Sequence, residues 1–164
     1  MTWPDEAYTA TFAAALAGAP ELRRAFVTLH GDLGAGKTTL VRHILRALRV
    51  PGRIKSPTYA VVEPHEIVGP QGNWPAWHFD FYRFADPREW EDAGFRDIFA
   101  SEGLKIAEWP EKARGVLPVP DLEISIVADA DGVRRAELVA GTPRGAGLLD
   151  HVAGAASLPA EGGA

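Results

Sequence analysis

Hydrophobic and polar positions change their period several times along this chain. Ala25 to Leu29 alternates as a short buried strand does, whereas Leu40, Val41, Ile44, Leu45 and Leu48 recur at helical spacing with polar Arg42, His43 and Arg46 between them. Asp5 to Leu16 reads as a first helix with a weak, Ala-rich apolar stripe. Thr58 to Glu63 and Trp77 to Tyr82 read as strands, separated by a turn region from Pro64 to Pro75. Asp86 and Pro87 open a helix to Phe99, with Asp86 as N-cap and Pro87 at the first helical position, where its missing N–H costs nothing. Leu104 to Ala107 is another short strand, and Leu122 to Val127 with Val133 to Val139 forms a hairpin around the turn Asp129-Ala-Asp-Gly132. Gly147 to Ala153 reads as a terminal helix turn, and Gly154 to Ala164 as a disordered tail. So many consecutive strands without intervening helices point away from a purely parallel sheet, toward an α/β domain with a mixed one.

Composition narrows the picture. With 164 residues and 46% hydrophobic content the chain suits one domain, residues 1–153, long enough to bury a core. A net charge of -5 argues against unaided binding to nucleic acid, where Lys and Arg neutralise phosphates, so a nucleic-acid role would pass through a partner. The absence of cysteine excludes disulfides, zinc–thiolate sites and cysteine nucleophiles. The first residues, MTWPDEAYTA, lack a basic and apolar signal pattern, and no window approaches a membrane span, so the cytoplasm is the simplest location.

Between the first strand and the second helix runs Gly31-Asp32-Leu33-Gly34-Ala35-Gly36-Lys37-Thr38, which satisfies the phosphate-binding pattern G-x-x-x-x-G-K-[ST] at every position. Glycines let backbone N–H groups converge on phosphate oxygens, and the following helix presents its positive end to them. Lys37 reaches the β- and γ-phosphates, and Thr38 offers a hydroxyl to Mg²⁺, a cation that prefers hard oxygen ligands. The fold expected is thus a single-domain, three-layer P-loop NTPase core with a mixed sheet.

Two acids are candidates to complete the site. Glu108 ends the apolar run Leu104-Lys-Ile-Ala107, as expected where a buried strand delivers a carboxylate to the phosphate end of a sheet. Asp80 lies in His78-Phe-Asp-Phe-Tyr-Arg83, where His78, Asp80 and Tyr82 share one face and Trp77, Phe79 and Phe81 the other.

These residues carry a resemblance covering most of the chain. The motifs GDLGAGKTTLVR from Gly31, KSPTYAVVEP from Lys55, HFDFYRFADPREWEDAGFRD from His78 and EWPEKARGVLP from Glu108 resemble, in order and spacing, those of the bacterial TsaE (YjeE) family of ATPases. The resemblance implies a role in forming N6-threonylcarbamoyladenosine at position 37 of tRNAs that read codons beginning with A. It also implies ATP and Mg²⁺ as ligands, the TsaD and TsaB proteins as partners, and contact with tRNA only through that complex. Carried onto this sequence, it makes Gly31 to Thr39 the triphosphate cradle, with Lys37 on the phosphates and Thr38 and Glu108 at the metal. Asp80 then orients or deprotonates the attacking water, and the roles of Asp80 and Glu108 are exchangeable. Arg83 and Arg134 are the cis candidates for an arginine finger, with Arg135 an alternative to Arg134; a partner is another source. Such groups are worth roughly 10³ to 10⁵ in rate, so slow hydrolysis is expected of the isolated chain.

Weaker site assignments surround these. Thr58, in Ser56-Pro-Thr-Tyr59, is either a γ-phosphate sensor or part of a turn entering a strand, since Pro57 restricts Ser56 to extended geometry. Trp109 either packs near the nucleotide or presents a partner surface. Asp5 and Thr9 resemble the family's amino-terminal D-E-x-x-T stretch near the adenine, though Ala13 stands where the family often has glycine. His78 is expected to be a hydrogen-bonded structural residue.

Rival classes are a small-molecule kinase, a GTPase and a nucleotide-gated binding module. Kinases usually need an arginine-rich lid, and Pro64 to Pro75 contains neither Arg nor Lys. Asn73 is the only asparagine and builds no guanine-reading N-K-x-D element.

Overall fold

A computed structural model describes residues 1–57, 59–86 and 88–157. Thr58 and Pro87 lie outside the described residues, as does the segment 158–164. Strands β1 (Thr2–Trp3), β2 (Phe26–His30), β3 (Val62–Gly69), β4 (Gly72–Asp80), β5 (Leu104–Glu108), β6 (Leu122–Ala128) and β7 (Arg134–Ala140) form a single sheet in the order β1-β7-β6-β2-β5-β4-β3. Its centre is parallel, β6-β2-β5-β4, and both flanks are antiparallel, so the mixed sheet expected from the sequence is present.

Helices α1 (Glu6–Ala17), α2 (Lys37–Ala47) and α5 (Pro143–Ser157) cover one face. Phe12, Ala13 and Leu16 of α1 meet Leu40, Val41, Ile44 and Leu45 of α2 there, above Val27, Leu29, Ile106 and Ile124 of the sheet. The opposite face is aromatic. Phe79 lies 5.3 Å from Phe95 and 4.9 Å from Phe99, and Trp90 completes the cluster, beneath α3 (Arg88–Asp92) and α4 (Phe95–Ala100). These rings bury large apolar areas, and their tilted and edge-on pairings suit the aromatic quadrupole.

Four expectations change. The region Pro64 to Pro75 is not a loop but most of the β3–β4 hairpin, whose strands join at Gly69–Gly72 and pair from Val62↔Phe79 onward. The first of the two strands begins only at Val62, and Tyr59 to Val61 stand outside it. The helix expected from Asp86 to Phe99 is two short helices, because Gly94 adopts a left-handed conformation (φ 71°) between them. Asp86 still caps the first, its Oδ1 accepting from the Arg88 N–H at 2.9 Å. Finally, α5 starts at Pro143 and continues to Ser157, past the Gly154 where a tail was expected to begin. Among the described residues no helix is long and apolar enough to cross a membrane.

Candidate functional site

Parallel strands β2, β5 and β4 end side by side, and the loop Gly31–Gly36 leaves the end of β2 to begin α2 at Lys37. A crevice outside the carboxyl ends of such strands is where open α/β sheets bind ligands. Here it is a cleft of about 340 Å³ lined by Gly34, Gly36, Lys37, Thr38, Thr39, Asp80, Glu108, Trp109 and Arg134, with Leu33, Ser56 and Tyr82 at its walls. The loop's geometry depends on glycine. Gly36 has φ 107°, and a Cβ there would stand 2.7 Å from Arg134 Nε; Gly31 has φ 145°, and a Cβ there would stand 2.4 Å from the Ile126 carbonyl oxygen.

Lys37 is buried, and its ammonium donates to the carbonyls of Gly31 and, at 2.9 Å, Asp32. The same ammonium lies 4.1 Å from the centre of the Trp109 ring. Burial pulls the Lys37 pKa below that of a free lysine, against the opposing charges of Glu108, Glu111, Asp80 and Asp32. Its charge thus rests on dipoles and a π-face, a state that a phosphate oxygen would improve. Trp109 itself has φ 55°, an uncommon left-handed conformation for a large residue, and its ring packs 5.0 Å from Tyr82.

The two acids are register partners, Asp80 on β4 against Glu108 on β5. Glu108 is buried and fully engaged: Oε1 accepts from the Thr38 hydroxyl at 2.7 Å and Oε2 lies 2.6 Å from His78 Nε2. Asp80 is half-buried, with Oδ1 accepting from the Tyr82 N–H at 3.0 Å. Burial raises the Asp80 pKa above the usual carboxylate range; the Tyr82 N–H opposes this, the nearby Glu108 charge adds to it, and His78 and Lys37 pull the other way. The structure therefore separates the acids. Glu108 is tied to the start of α2 and Asp80 faces the cleft with an oxygen to spare.

Arg134, on β7, reaches over Gly36, and its guanidinium lies 3.4 Å from the Thr9 hydroxyl. Arg135 is exposed, as the next residue of a strand points to the other face. Arg83 lies over the Tyr59 ring at 4.9 Å rather than lining the cleft. Thr9 thus joins the site through Arg134, whereas Asp5 caps α1, accepting from the Tyr8 N–H at 3.2 Å, and does not line the cleft. Thr58 lies outside the described residues. Sequence reasoning missed the direct His78–Glu108 contact, although strand alternation placed His78 and Asp80 on one face.

A Mg²⁺ ion requires oxygen donors beside the phosphates. The Thr38 hydroxyl and the Glu108 carboxylate, joined to each other at the start of α2, supply that chemistry.

The chain is similar to known proteins of one family. The family model described as "Threonylcarbamoyl adenosine biosynthesis protein TsaE" matches residues 3–136. The chain is 44% identical over 123 residues to the tRNA threonylcarbamoyladenosine biosynthesis protein TsaE of Haemophilus influenzae, covering 75% of each chain. It is 34% identical over 108 residues to the protein of that name from Bacillus subtilis, covering 66% of this chain and 65% of the other. The crystal structure of Bacillus subtilis YdiB superposes with a TM-score of 0.72 at 25% identity, covering 93% of both chains, which fits the P-loop NTPase-like fold. The chain belongs to the TsaE family and so to the biosynthesis of threonylcarbamoyladenosine in tRNA.

Proposed function

We propose that the chain is a Mg²⁺-dependent ATPase whose turnover supports the TsaD and TsaB proteins as they form N6-threonylcarbamoyladenosine at position 37 of tRNAs reading codons that begin with A. The observation that carries this reading is the 2.7 Å bond between Thr38 and Glu108 beside a complete phosphate loop, with Asp80 unattached to either and facing the same cleft.

In this reading the loop N–H groups and the N-terminus of α2 bind the β- and γ-phosphates. Lys37 exchanges the Gly31 and Asp32 carbonyls for phosphate oxygens. Thr38 and Glu108 hold Mg²⁺, which supplies neutralisation of the phosphate charge. Asp80 accepts a hydrogen bond from the attacking water and orients it; phosphoryl transfer needs little else from a protein than positioning and charge stabilisation. Arg134 is the cis group nearest the loop. The hairpin β3–β4 is bonded into the sheet and carries neither Lys nor Arg between Pro64 and Pro75, which counts against a phosphate-acceptor lid and hence against a kinase.

The test is ATP hydrolysis by the purified chain with Mg²⁺, alone and with TsaD and TsaB, beside Lys37→Ala. Slow turnover alone, stimulated by the partners and lost in the variant, supports the reading. Absence of both binding and stimulation overturns it.

A further inference from the structure

We propose that His78 is a positioning residue of the cleft, holding Glu108 so that its other carboxylate oxygen meets Thr38. The functional consequence rests on the Mg²⁺–nucleotide reading, while the structural claim concerns the unliganded chain alone.

His78 and Glu108 have side chains 1% and 3% exposed, with Nε2 and Oε2 2.6 Å apart. The contact follows from register. His78 pairs with Ile106 and Asp80 with Glu108, so His78 and Glu108 are diagonal neighbours on one face of the sheet. An ionised carboxylate only accepts, so the ring nitrogen facing it carries the proton. Glu108 then receives one donor on each oxygen, Thr38 on Oε1 and His78 on Oε2. Two donors on opposite oxygens fix the rotation of the carboxylate plane. One donor leaves it free to turn away from α2.

The ring's other nitrogen offers no competing contact. Nδ1 is buried without a hydrogen-bond partner among the described residues. An orphaned buried acceptor is destabilising, a cost that an apolar side chain packed in the same place would avoid. The chain accepts that cost where the opposite nitrogen meets the carboxylate. The hydroxyl of Thr38, committed as a donor to Glu108, keeps its lone pairs for a cation. His78 therefore orders the metal-binding oxygens from behind without touching nucleotide.

The test compares two amides of different reach. Glutamine places its N–H₂ near the position of the histidine Nε2, and asparagine falls one methylene short. Crystal structures of unliganded His78→Gln are expected to retain the Thr38–Glu108 bond, and those of His78→Asn to lose it. In solution, the Mg²⁺ concentration for half-maximal ATP binding should rise about 10- to 100-fold in His78→Asn and stay within about threefold in His78→Gln, with Mg²⁺-free nucleotide affinity equal in both. Partner-stimulated kcat should fall in His78→Asn at little-changed KM. Equal behaviour of the two variants, or an intact Thr38–Glu108 bond in His78→Asn, overturns the proposal. Should the wild-type chain bind no Mg²⁺–nucleotide, the ATPase reading fails and the crystal comparison decides the positioning role by itself.

Discussion

The Thr38 hydroxyl donates to Glu108 Oε1 at 2.7 Å, joining two residues 70 positions apart in the chain. This bond fastens the first turn of α2 to the end of β5, and it is made by the two groups proposed to hold Mg²⁺. Thr38→Val keeps the shape and removes the hydroxyl. The expected outcome is a loss of roughly 10²- to 10³-fold in Mg²⁺-dependent kcat, with Mg²⁺-free nucleotide affinity within a few fold. Leaving a Glu108 oxygen unpaired should also lower unfolding free energy by about 1–3 kcal/mol, measurable by urea denaturation.

Arg134 and Arg135 are adjacent in sequence and opposite in placement: the first lies against Gly36, the second is exposed. Arg134→Ala should lower kcat by at least about 10-fold, toward the roughly 10³-fold of a finger contact, while Arg135→Ala stays within about twofold. Single-turnover hydrolysis of the two variants separates them.

Asp80 carries a pH prediction. Its pKa is raised in the folded chain, chiefly by burial, so between its unfolded and folded values the native state binds more protons than the unfolded one. Stability contributed at this position therefore falls as pH rises through that window, and the cost of the charge persists in full above it. Asp80→Asn should raise Tm at neutral pH by a few degrees at most and flatten the difference at acid pH, while hydrolysis falls by roughly 10²-fold or more. Calorimetry across pH 4–8, by about one unit per step, checks the sign. In the wild-type chain, hydrolysis should decline on acidification at a higher pH than a free carboxylate would give.

The parts of this molecule legible in the sequence were those set by local chemistry. The phosphate loop, the amphipathic α2 and the β6–β7 hairpin around Asp129–Gly132 all depend on residues close in sequence. The β3–β4 hairpin was obscured by a proline within each strand. Pro64 lies on the sheet's edge strand, and Pro75 precedes the part of β4 that pairs with β5, which starts at Ala76↔Leu104; neither blocks a central ladder. The split between α3 and α4 was signalled by Gly94, whose left-handed conformation a helical pattern does not reveal. Strand β1 is two residues long, too short for any period, and is held by pairing with Arg134 and Arg135. For the site, alternation placed Asp80 and His78 on one face, but that Glu108 takes Thr38 and His78 together depends on strand register, which only the folded sheet supplies.

Trp109 covers the Lys37 ammonium at 4.1 Å, so a nucleotide that draws Lys37 onto its phosphates must change the surroundings of this indole. ATP binding should alter tryptophan emission, and Trp109→Phe should remove most of that change although the chain keeps its other four of five tryptophans. An unchanged signal in Trp109→Phe would place the response at another indole.

The most direct test of the site is a crystal structure of the chain with Mg²⁺ and a non-hydrolysable ATP analogue. The expected result has the γ-phosphate bound by Lys37 beside Asp80 and the metal on the Thr38 hydroxyl next to Glu108. A nucleotide bound away from the loop, or a metal bound without Thr38 and Glu108, would contradict it.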